Sequence, residues 1–415
     1  MRVAVVLLLF VPKAAIAGPL FLGEPRPLAL AGAYTALSND SNALDHNPAG
    51  LARIDGSLAS LSFHFVSPQL TADDKSVSEP SDEGYSLRFA WSPTEVLGGE
   101  LGFGVSLFLP HRRALNFTIH PTDEPYFVLA ENETELLEIR LGLAYRFFDR
   151  LSIGASVLLL AGLDGHVNIV APFQSNEVDP NKRTRVDLAA DLPNQEFFAA
   201  GAQFRLLDGL DVGLVYRQAS YVRIHLPIDF SPQVFGLDLA TGSDLDLRVK
   251  HIPEQVTIGV AYSPTDELLI SLDVVYAHFA DYELPYGNVT LDVSRIGEGI
   301  TLLPPLRPVA DLTDVWIPKL GAEWSPLEGL DLRAGYSYQA TFIESVDQPV
   351  LDSAKHIFAL GVGQDVHEWL LGEASDAKWS FSAGANLVSF ASRTTGPIRH
   401  GGFVFSAAIG TSIQY

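Results

Sequence analysis

The stretch "LDLRAGYSYQ", residues 330–339, decides the fold. Its apolar and aromatic residues occupy every second position, and charged, polar or small residues lie between them. Successive side chains of a β-strand point to opposite sides of the sheet, so this pattern predicts a strand with one apolar and one polar face. Residues 85–92, 210–217 and 255–263 alternate in the same way.

The composition places these strands in a membrane. Hydrophobic residues make up 47% of the chain and the mean hydropathy is +0.17, yet no run after residue 17 has the roughly 20 apolar residues of a membrane helix. A transmembrane barrel distributes its apolar residues over alternate strand positions. The sequence therefore predicts an all-β protein, a transmembrane antiparallel β-barrel in the bacterial outer membrane. Its net charge of -23 argues against a nucleic-acid partner.

The first 17 residues are typical of a secretory signal peptide. Arg2 precedes an apolar run, and "AIA" at residues 15–17 matches an A-x-A cleavage site. The apolar run is too short to span a bilayer as an anchor. The chain has no cysteine, so neither a lipid-anchored cysteine nor a disulfide is expected.

A repeated hairpin supports a membrane barrel. Trp91, Tyr262 and Trp324 each begin the pattern aromatic-Ser-Pro, which is followed by a new alternating strand. Proline favours the turn and cannot lie in the middle of a ladder. The aromatic residue falls on the apolar face, as in the aromatic girdle at a membrane interface.

About fourteen strands are predicted, with boundaries uncertain by a few residues. A soluble β-sandwich also alternates, but here short turns alternate regularly with long connections, as in bacterial barrels with short periplasmic turns and long extracellular loops. The last strand ends in aromatic Tyr415 and resembles the signal read by the barrel-assembly machinery. The predicted strands are 57–66, 84–92, 101–109, 134–148, 150–161, 195–206, 210–219, 255–264, 267–280, 316–325, 329–339, 355–363, 378–391 and 401–415.

Residues 18–56 precede the first strand and contain "PLALAGAYTALSNDSNALDHNPAGLA", residues 27–52. This stretch resembles the N-terminus of the FadL/TodX-type outer-membrane transporters of fatty acids and other hydrophobic compounds. The resemblance rests on Gly32-Ala33-Tyr34, Asp40 and Asn47-Pro48-Ala49. It implies a fourteen-stranded barrel with an N-terminal plug, and hence a signal peptide at 1–17, a plug segment at 18–56 and a barrel at 57–415.

The resemblance also implies a function. Family members carry hydrophobic compounds, so the expected partners are an apolar small molecule, outer-membrane lipid and lipopolysaccharide, and the assembly machinery during biogenesis. The resemblance further implies a sideways exit into the bilayer at a kink in a strand, which Gly102 and Gly104 in the third strand could permit. Gly32, Asn47, Pro48 and Ala49 are the expected plug or gating residues. The alternative for Asn47-Pro48-Ala49 is a plain turn. A barrel of a protein secretion or assembly system, and a general diffusion porin, stay open as alternative functions.

Ligand contacts are expected in the long loops and on the lumen face. Exposed apolar clusters usually mark contact sites, although these loops could also bury such residues against one another. Family pockets pair an apolar tunnel with basic groups, for which Arg217 and Arg333 have the right strand parity. Each could instead pair with a lumen carboxylate such as Asp211 or Asp331. The loop candidates are Phe173, Phe230, Val234, Phe235, Leu302 and Leu303.

Catalytic and cofactor motifs are not found in the sequence. His367-Glu368 resembles the start of H-E-x-x-H, but position 371 is Leu. The histidines do not cluster at metal spacing, and no phosphate-binding glycine loop occurs. We therefore expect no enzyme activity, no metal and no cofactor.

Overall fold

The computed structural model describes most of the chain. The described residues are 11–13, 23–77, 81–92, 96, 98–110, 118–120, 126–127, 137–161, 164–172, 183–191, 195–230, 233–234, 237–238, 241–281, 287–291, 310–346, 350–366 and 377–415.

Fourteen antiparallel strands form a closed barrel, which confirms the predicted fold class and strand number. Each strand pairs with its neighbours in sequence, and the first pairs with the last from Leu58↔Gln414 to Ala72↔His400. The strands are β1 Gly56–Ala72, β2 Asp82–Ser92, β3 Gly99–Pro110, β4 Leu137–Phe147, β5 Leu151–Ala161, β6 Gln195–Leu207, β7 Leu210–Arg217, β8 Glu254–Thr265, β9 Leu268–His278, β10 Val315–Leu327, β11 Leu330–Gln339, β12 Lys355–Asp365, β13 Lys378–Thr395 and β14 Ile398–Gln414.

The faces of the barrel follow the sequence alternation. On β11, Leu332 and Tyr336 are exposed, whereas Arg333 and Ser337 are buried. The three aromatic residues of the Ser-Pro hairpins also point outward and are about half exposed. An apolar outer face over a polar lumen is the arrangement of a membrane barrel.

One predicted connection is wrong. The sequence predicts a long loop at residues 392–400, but β13 reaches Thr395 and β14 begins at Ile398. The tips of these two long strands carry polar residues and no apolar face, so their sequence is typical of a loop. They pair nonetheless, because a ladder that stands clear of the membrane needs no lipid-facing apolar side.

The segment from residue 23 to residue 55 lies inside the barrel, and we call it the plug. It contains helix α1 Pro25–Ala29, helix α2 Ala43–His46 and the 3-10 helix Pro48–Arg53. Leu30 and Tyr34 are fully buried within it. No helix among the described residues is both long and apolar enough to cross a membrane.

Shorter strands lie outside the barrel wall. Most are in the long connections, and two of the pairs join segments more than 100 residues apart. They are Val11–Lys13 with Thr118–His120, Asp164–Pro172 with Arg183–Asp191, Ser220–Phe230 with Thr241–Ile252 and Gly287–Leu291, Gln233–Val234 with Leu237–Asp238, Ala310–Leu312 with Ile343–Val346, Val350–Leu351 with Tyr126–Phe127, and Lys75–Ser76 with the end of β1.

Candidate functional site

A cavity of about 250 Å³ lies between the plug and the barrel wall, on the side of the long connections. Its wall there is apolar, because the lumen-facing residues near the strand ends change from polar to apolar. Its floor is formed by the plug and by charged side chains of the wall. The apolar wall includes Phe108, Leu158, Leu160, Phe197, Val275, Phe279, Ile317 and Ile357.

Two plug carboxylates are tied to arginines of the wall. Glu24 on the plug accepts a hydrogen bond from Arg88 Nε at 2.9 Å and from Ser62 Oγ. Asp45 forms ion pairs with Arg88 and, at 2.8 Å, with Arg140 Nε. These contacts fix the plug against β1, β2 and β4.

The charges of the wall determine how these carboxylates titrate. Burial raises the pKa of the Glu24 carboxyl, but Arg88 and His64 outweigh burial and hold the pKa well below its usual range. Burial likewise opposes ionisation of Asp45, while Arg88 and Arg140 lower its pKa to about 2. Both carboxylates are therefore ionised at neutral pH and are already committed to arginines.

Two further cations of the floor, Arg217 and Lys319, form no ion pair with a carboxylate in the part of the chain that the structure describes. Arg217 Nη2 donates to the backbone carbonyl of Asp45, and its Nη1 lies 3.5 Å from Gln255 Oε1. Lys319 faces Asp273 across the β9–β10 ladder, but Asp273 Oδ2 accepts the backbone N–H groups of the plug instead, both at 2.9 Å. Among the described side chains, no carboxylate lies within ion-pair distance of Arg217 or Lys319.

His46 ends helix α2 beside these cations and lines the cavity. Its ring packs edge-on against Tyr34, with the ring centres 5.1 Å apart. Burial outweighs the opposing charge of Asp45 and, together with Lys319 and Arg217, lowers the pKa of His46 to about 3. The imidazole is neutral at pH 7, so the positive charge of the floor comes from arginine and lysine.

The predicted plug residues occupy two places. Gly32 lines the cavity with φ +75°, a conformation that favours glycine, and a Cβ there would lie 3.1 Å from Lys319 Nζ. Asn47 is fully buried at the start of the 3-10 helix, where its side chain accepts from Ala49 N. Pro48 and Ala49 lie against β5, away from the cavity. Their gating role stays a prediction.

The predicted ligand residues separate by position. Arg217 lines the cavity. Arg333 does not, because it is 6% exposed and bonded to Glu323 and Asp331 nearer the short turns. Phe173, Phe235, Leu302 and Leu303 lie outside the described residues. Phe230 and Val234 lie on described strands, but their side chains are outside the description.

The sequence reasoning missed most of the apolar wall and the plug charges of the floor. One signal could have found the wall. Along β9 the lumen-facing positions read Ser271, Asp273, Val275 and Ala277, so polarity is lost toward the long connections. Glu24, Asp45 and His46 carried no such signal, because the plug has no regular periodicity.

Two negative findings concern the described residues. They contain no group of three or more His, Asp or Glu side chains arranged to hold a metal ion. Glycines 102 and 104 could have permitted a kink in β3. Instead, β3 pairs with β2 from Gly84↔Pro110 to Trp91↔Phe103 and with β4 from Gly99↔Phe147 to Phe108↔Glu138.

A closed fourteen-stranded barrel with an apolar outside, a filled lumen and an apolar cavity defines an outer-membrane channel for hydrophobic compounds. The comparison with protein families agrees with this class. Residues 22–370 match the model of the outer membrane protein transport protein family (OMPP1/FadL/TodX), and the chain belongs to that family. No curated protein with which the sequence was compared is detectably similar to it.

Solved structures share the fold over nearly the whole chain. A FadL homologue of Pseudomonas aeruginosa has a TM-score of 0.63 at 13% identity, covering 95% of this chain and 99% of the other. The toluene transporter TodX of Pseudomonas putida has a TM-score of 0.57 at 17% identity, with 95% and 99% covered. The toluene transporter TbuX of Ralstonia pickettii has a TM-score of 0.54 at 15% identity, with 95% and 99% covered.

Proposed function

We propose that this protein imports amphiphilic carboxylic acids with apolar tails, such as long-chain fatty acids, and that it acts by transport rather than by catalysis. The observation that carries the proposal is the pair Arg217 and Lys319 at the floor of a cavity with apolar walls. Neither has a carboxylate of the described residues within ion-pair distance. A carboxylate head would pair with these cations, and the tail would lie along the apolar wall.

The energetic reason is the cost of an unpaired charge. A cation removed from water is destabilising unless an anion or several acceptors compensate it. Hydrogen bonds between a guanidinium or ammonium group and a carboxylate are about twice as strong as neutral ones. An uncharged hydrocarbon would use the apolar wall and bring no anion to either cation, so a carboxylate fits the floor better.

The filled lumen supports a selective transporter over a general diffusion porin. Residues 23–55 occupy the space that a wide aqueous pore would need. Contact with lipopolysaccharide, recognition of β14 by the barrel-assembly machinery and a sideways exit through the wall rest on the family resemblance alone. We propose them here, together with the signal peptide at 1–17, which rests on the sequence pattern.

A binding comparison tests the substrate class. Purified protein is titrated with a long-chain fatty acid, its methyl ester and the corresponding alkane. We expect the acid to bind at least about tenfold more tightly than the ester, because a charged hydrogen bond contributes about 1.5–3 kcal/mol. Equal binding of all three would overturn the carboxylate proposal and favour an uncharged hydrocarbon.

Transport itself is tested in cells. A bacterium that lacks its own fatty-acid importer is supplied with this protein, and uptake of labelled fatty acid is measured once the assembled barrel has been detected. Restored uptake supports the proposal, and no uptake contradicts it. In the second case, a protein that co-purifies at fixed stoichiometry would favour the secretion alternative, and strong conductance in a planar bilayer would favour the porin alternative.

A further inference from the structure

The plug is in unusually close contact with the barrel wall. Five lumen-facing glycines lie directly against its backbone, and we call them the glycine belt: Gly102, Gly154, Gly213, Gly335 and Gly384. A Cβ at any of these positions would lie 2.2–2.6 Å from a plug backbone carbon or oxygen, which is closer than real Cβ atoms approach. Only glycine lets the two backbones meet at this distance.

The belt follows the plug around the lumen in order. Gly102 on β3 meets Leu51, and Gly154 on β5 meets Pro48. Further round the barrel, Gly213 on β7 meets the carbonyl of Thr35. The plug chain therefore runs along the wall in the direction opposite to the strand order.

The remaining two glycines complete the circuit on the other side of the barrel. Gly335 on β11 meets Leu30, and Gly384 on β13 meets the carbonyl of Pro25. The next plug residue, Glu24, is bonded to Ser62 on β1. The plug thus bridges the two sides of the seam where β1 and β14 close the barrel.

On β9, the odd-numbered strand between β7 and β11, side-chain hydrogen bonds hold the plug. On β9, Ser271 Oγ donates to the carbonyl of Ala33 at 2.9 Å. Asp273 accepts the backbone N–H groups of Tyr34 and Thr35. Each odd-numbered strand of the barrel therefore contacts the plug, either through a glycine or through a side-chain hydrogen bond.

We infer that the plug is a fixed part of the barrel wall, clamped by the glycine belt, and that its backbone is not displaced during transport. Sliding the plug by even one residue would bring wall side chains onto its backbone. Movements during transport are then confined to side chains and to the backbone outside residues 25–52, on the cavity side of the belt.

Hydrogen exchange tests the clamp without any substrate. We expect the amides of residues 25–52 in the wild-type protein to exchange as slowly as those of the barrel strands, and a saturating fatty acid to leave them unchanged. Exchange at the rate of an open loop, or faster exchange on adding fatty acid, would overturn the inference. This measurement stands whether or not the protein transports fatty acids.

A glycine substitution tests the belt itself. Gly335→Ala should accelerate exchange of the amides of residues 30–34 at least about tenfold, because its Cβ meets Leu30 and Ala31 backbone atoms at 2.3 and 2.5 Å. The matched control is Gly401→Ala on β14, whose Cβ would meet its nearest atom at 3.4 Å. Unchanged exchange in Gly335→Ala would contradict the belt. If that variant does not assemble, Gly154→Ala gives the same test at residues 47–50.

A cross-link tests whether transport needs plug displacement. The chain has no cysteine, so the pair Leu30→Cys and Gly321→Cys would be its only thiols. A Cβ added at position 321 would lie 3.1 Å from the Leu30 Cβ and 2.6 Å from Ser271 Oγ. The disulfide therefore needs the two Cβ atoms to separate by about 0.4 Å and the Ser271 hydroxyl to turn aside. We expect uptake by the oxidised form to stay within about twofold of the reduced form. Loss of uptake on oxidation, reversed by a reductant, would overturn the inference.

Discussion

Arg217 offers the sharpest test of the cavity floor. Its guanidinium lines the cavity and has only neutral oxygens as partners among the described residues, the Asp45 carbonyl and Gln255 Oε1. Arg217→Met keeps an unbranched side chain and removes the charge. Among the described residues no carboxylate forms an ion pair with Arg217, and Asp45 keeps its pairs with Arg88 and Arg140, so the substitution leaves no described anion unpaired.

The expected magnitude follows from one charged hydrogen bond. Its loss costs about 1.5–3 kcal/mol, and each 1.4 kcal/mol is a factor of ten, so the fatty acid should bind about 10–150-fold more weakly. Lys319 remains beside the site, so binding should weaken and not disappear. The methyl ester, which carries no charge, should bind almost as it does to the wild type.

The assay is the ratio of acid affinity to ester affinity, measured by calorimetric titration of the purified protein. The ratio separates a lost charge from a distorted cavity, since distortion would weaken both ligands. Arg399→Met is the matched control, because Arg399 is exposed at the far tip of β14 and donates to Ser392 Oγ at 3.2 Å. An unchanged ratio in Arg217→Met would refute the assignment of this residue to the carboxylate.

Three other outcomes are expected. Asn47→Ala should destabilise the plug by about 1–3 kcal/mol, because it removes hydrogen bonds to buried carbonyls; hydrogen exchange of the plug would measure this, and unchanged exchange would contradict it. Leu143→Arg, at mid-strand on the lipid face, should destabilise the barrel by about 2–4 kcal/mol, whereas Leu207→Arg beside a short turn should cost about 0–1 kcal/mol. Denaturant titration in lipid vesicles compares the two variants, and equal costs would contradict the assigned membrane depth. Plug stability should fall as the pH drops below about 6.5, because burial holds His46 neutral with a pKa of about 3 and only the displaced plug can protonate it. The depressed pKa values of Glu24 and Asp45 add a further loss only at lower pH, for Asp45 between its ordinary pKa of 3.8 and about 2. Plug exchange rates, corrected for the intrinsic pH dependence of exchange, would measure this, and corrected rates that stay constant from pH 8 to pH 5 would contradict the burial of a neutral His46.

The strands could be predicted closely because alternation records the difference between lipid and lumen. The stretch at 330–339 is one strand with those bounds. The two arginines predicted as ligand contacts could not be ranked in this way. Arg217 and Arg333 share the same parity, but Arg333 lies four residues after the turn glycine Gly329, whereas Arg217 ends β7 on the opposite side of the membrane. Strand parity gives the face of a residue, and only the fold gives its depth and neighbours.

The plug could be expected from the resemblance, but its path could not. Its residues have no regular period, so nothing in residues 27–52 indicates which strand each one meets. A lumen-facing glycine in a strand is equally compatible with strand bending, whereas the structure shows the glycines of the belt in contact with the plug. A glycine in the sequence does not indicate which segment packs against it, and only the structure shows that segment.

The glycine belt has a consequence for protein engineering and for reading related sequences. The glycines of the wall fit the path of the plug backbone. A plug taken from another member of the family would therefore fit only if the receiving barrel has glycines where that plug meets the wall. In another member of the family, the lumen-facing glycines of the strands can be compared with the positions of the glycine belt. With this structure as the template, glycines at the same heights predict where the plug of that member lies against each strand.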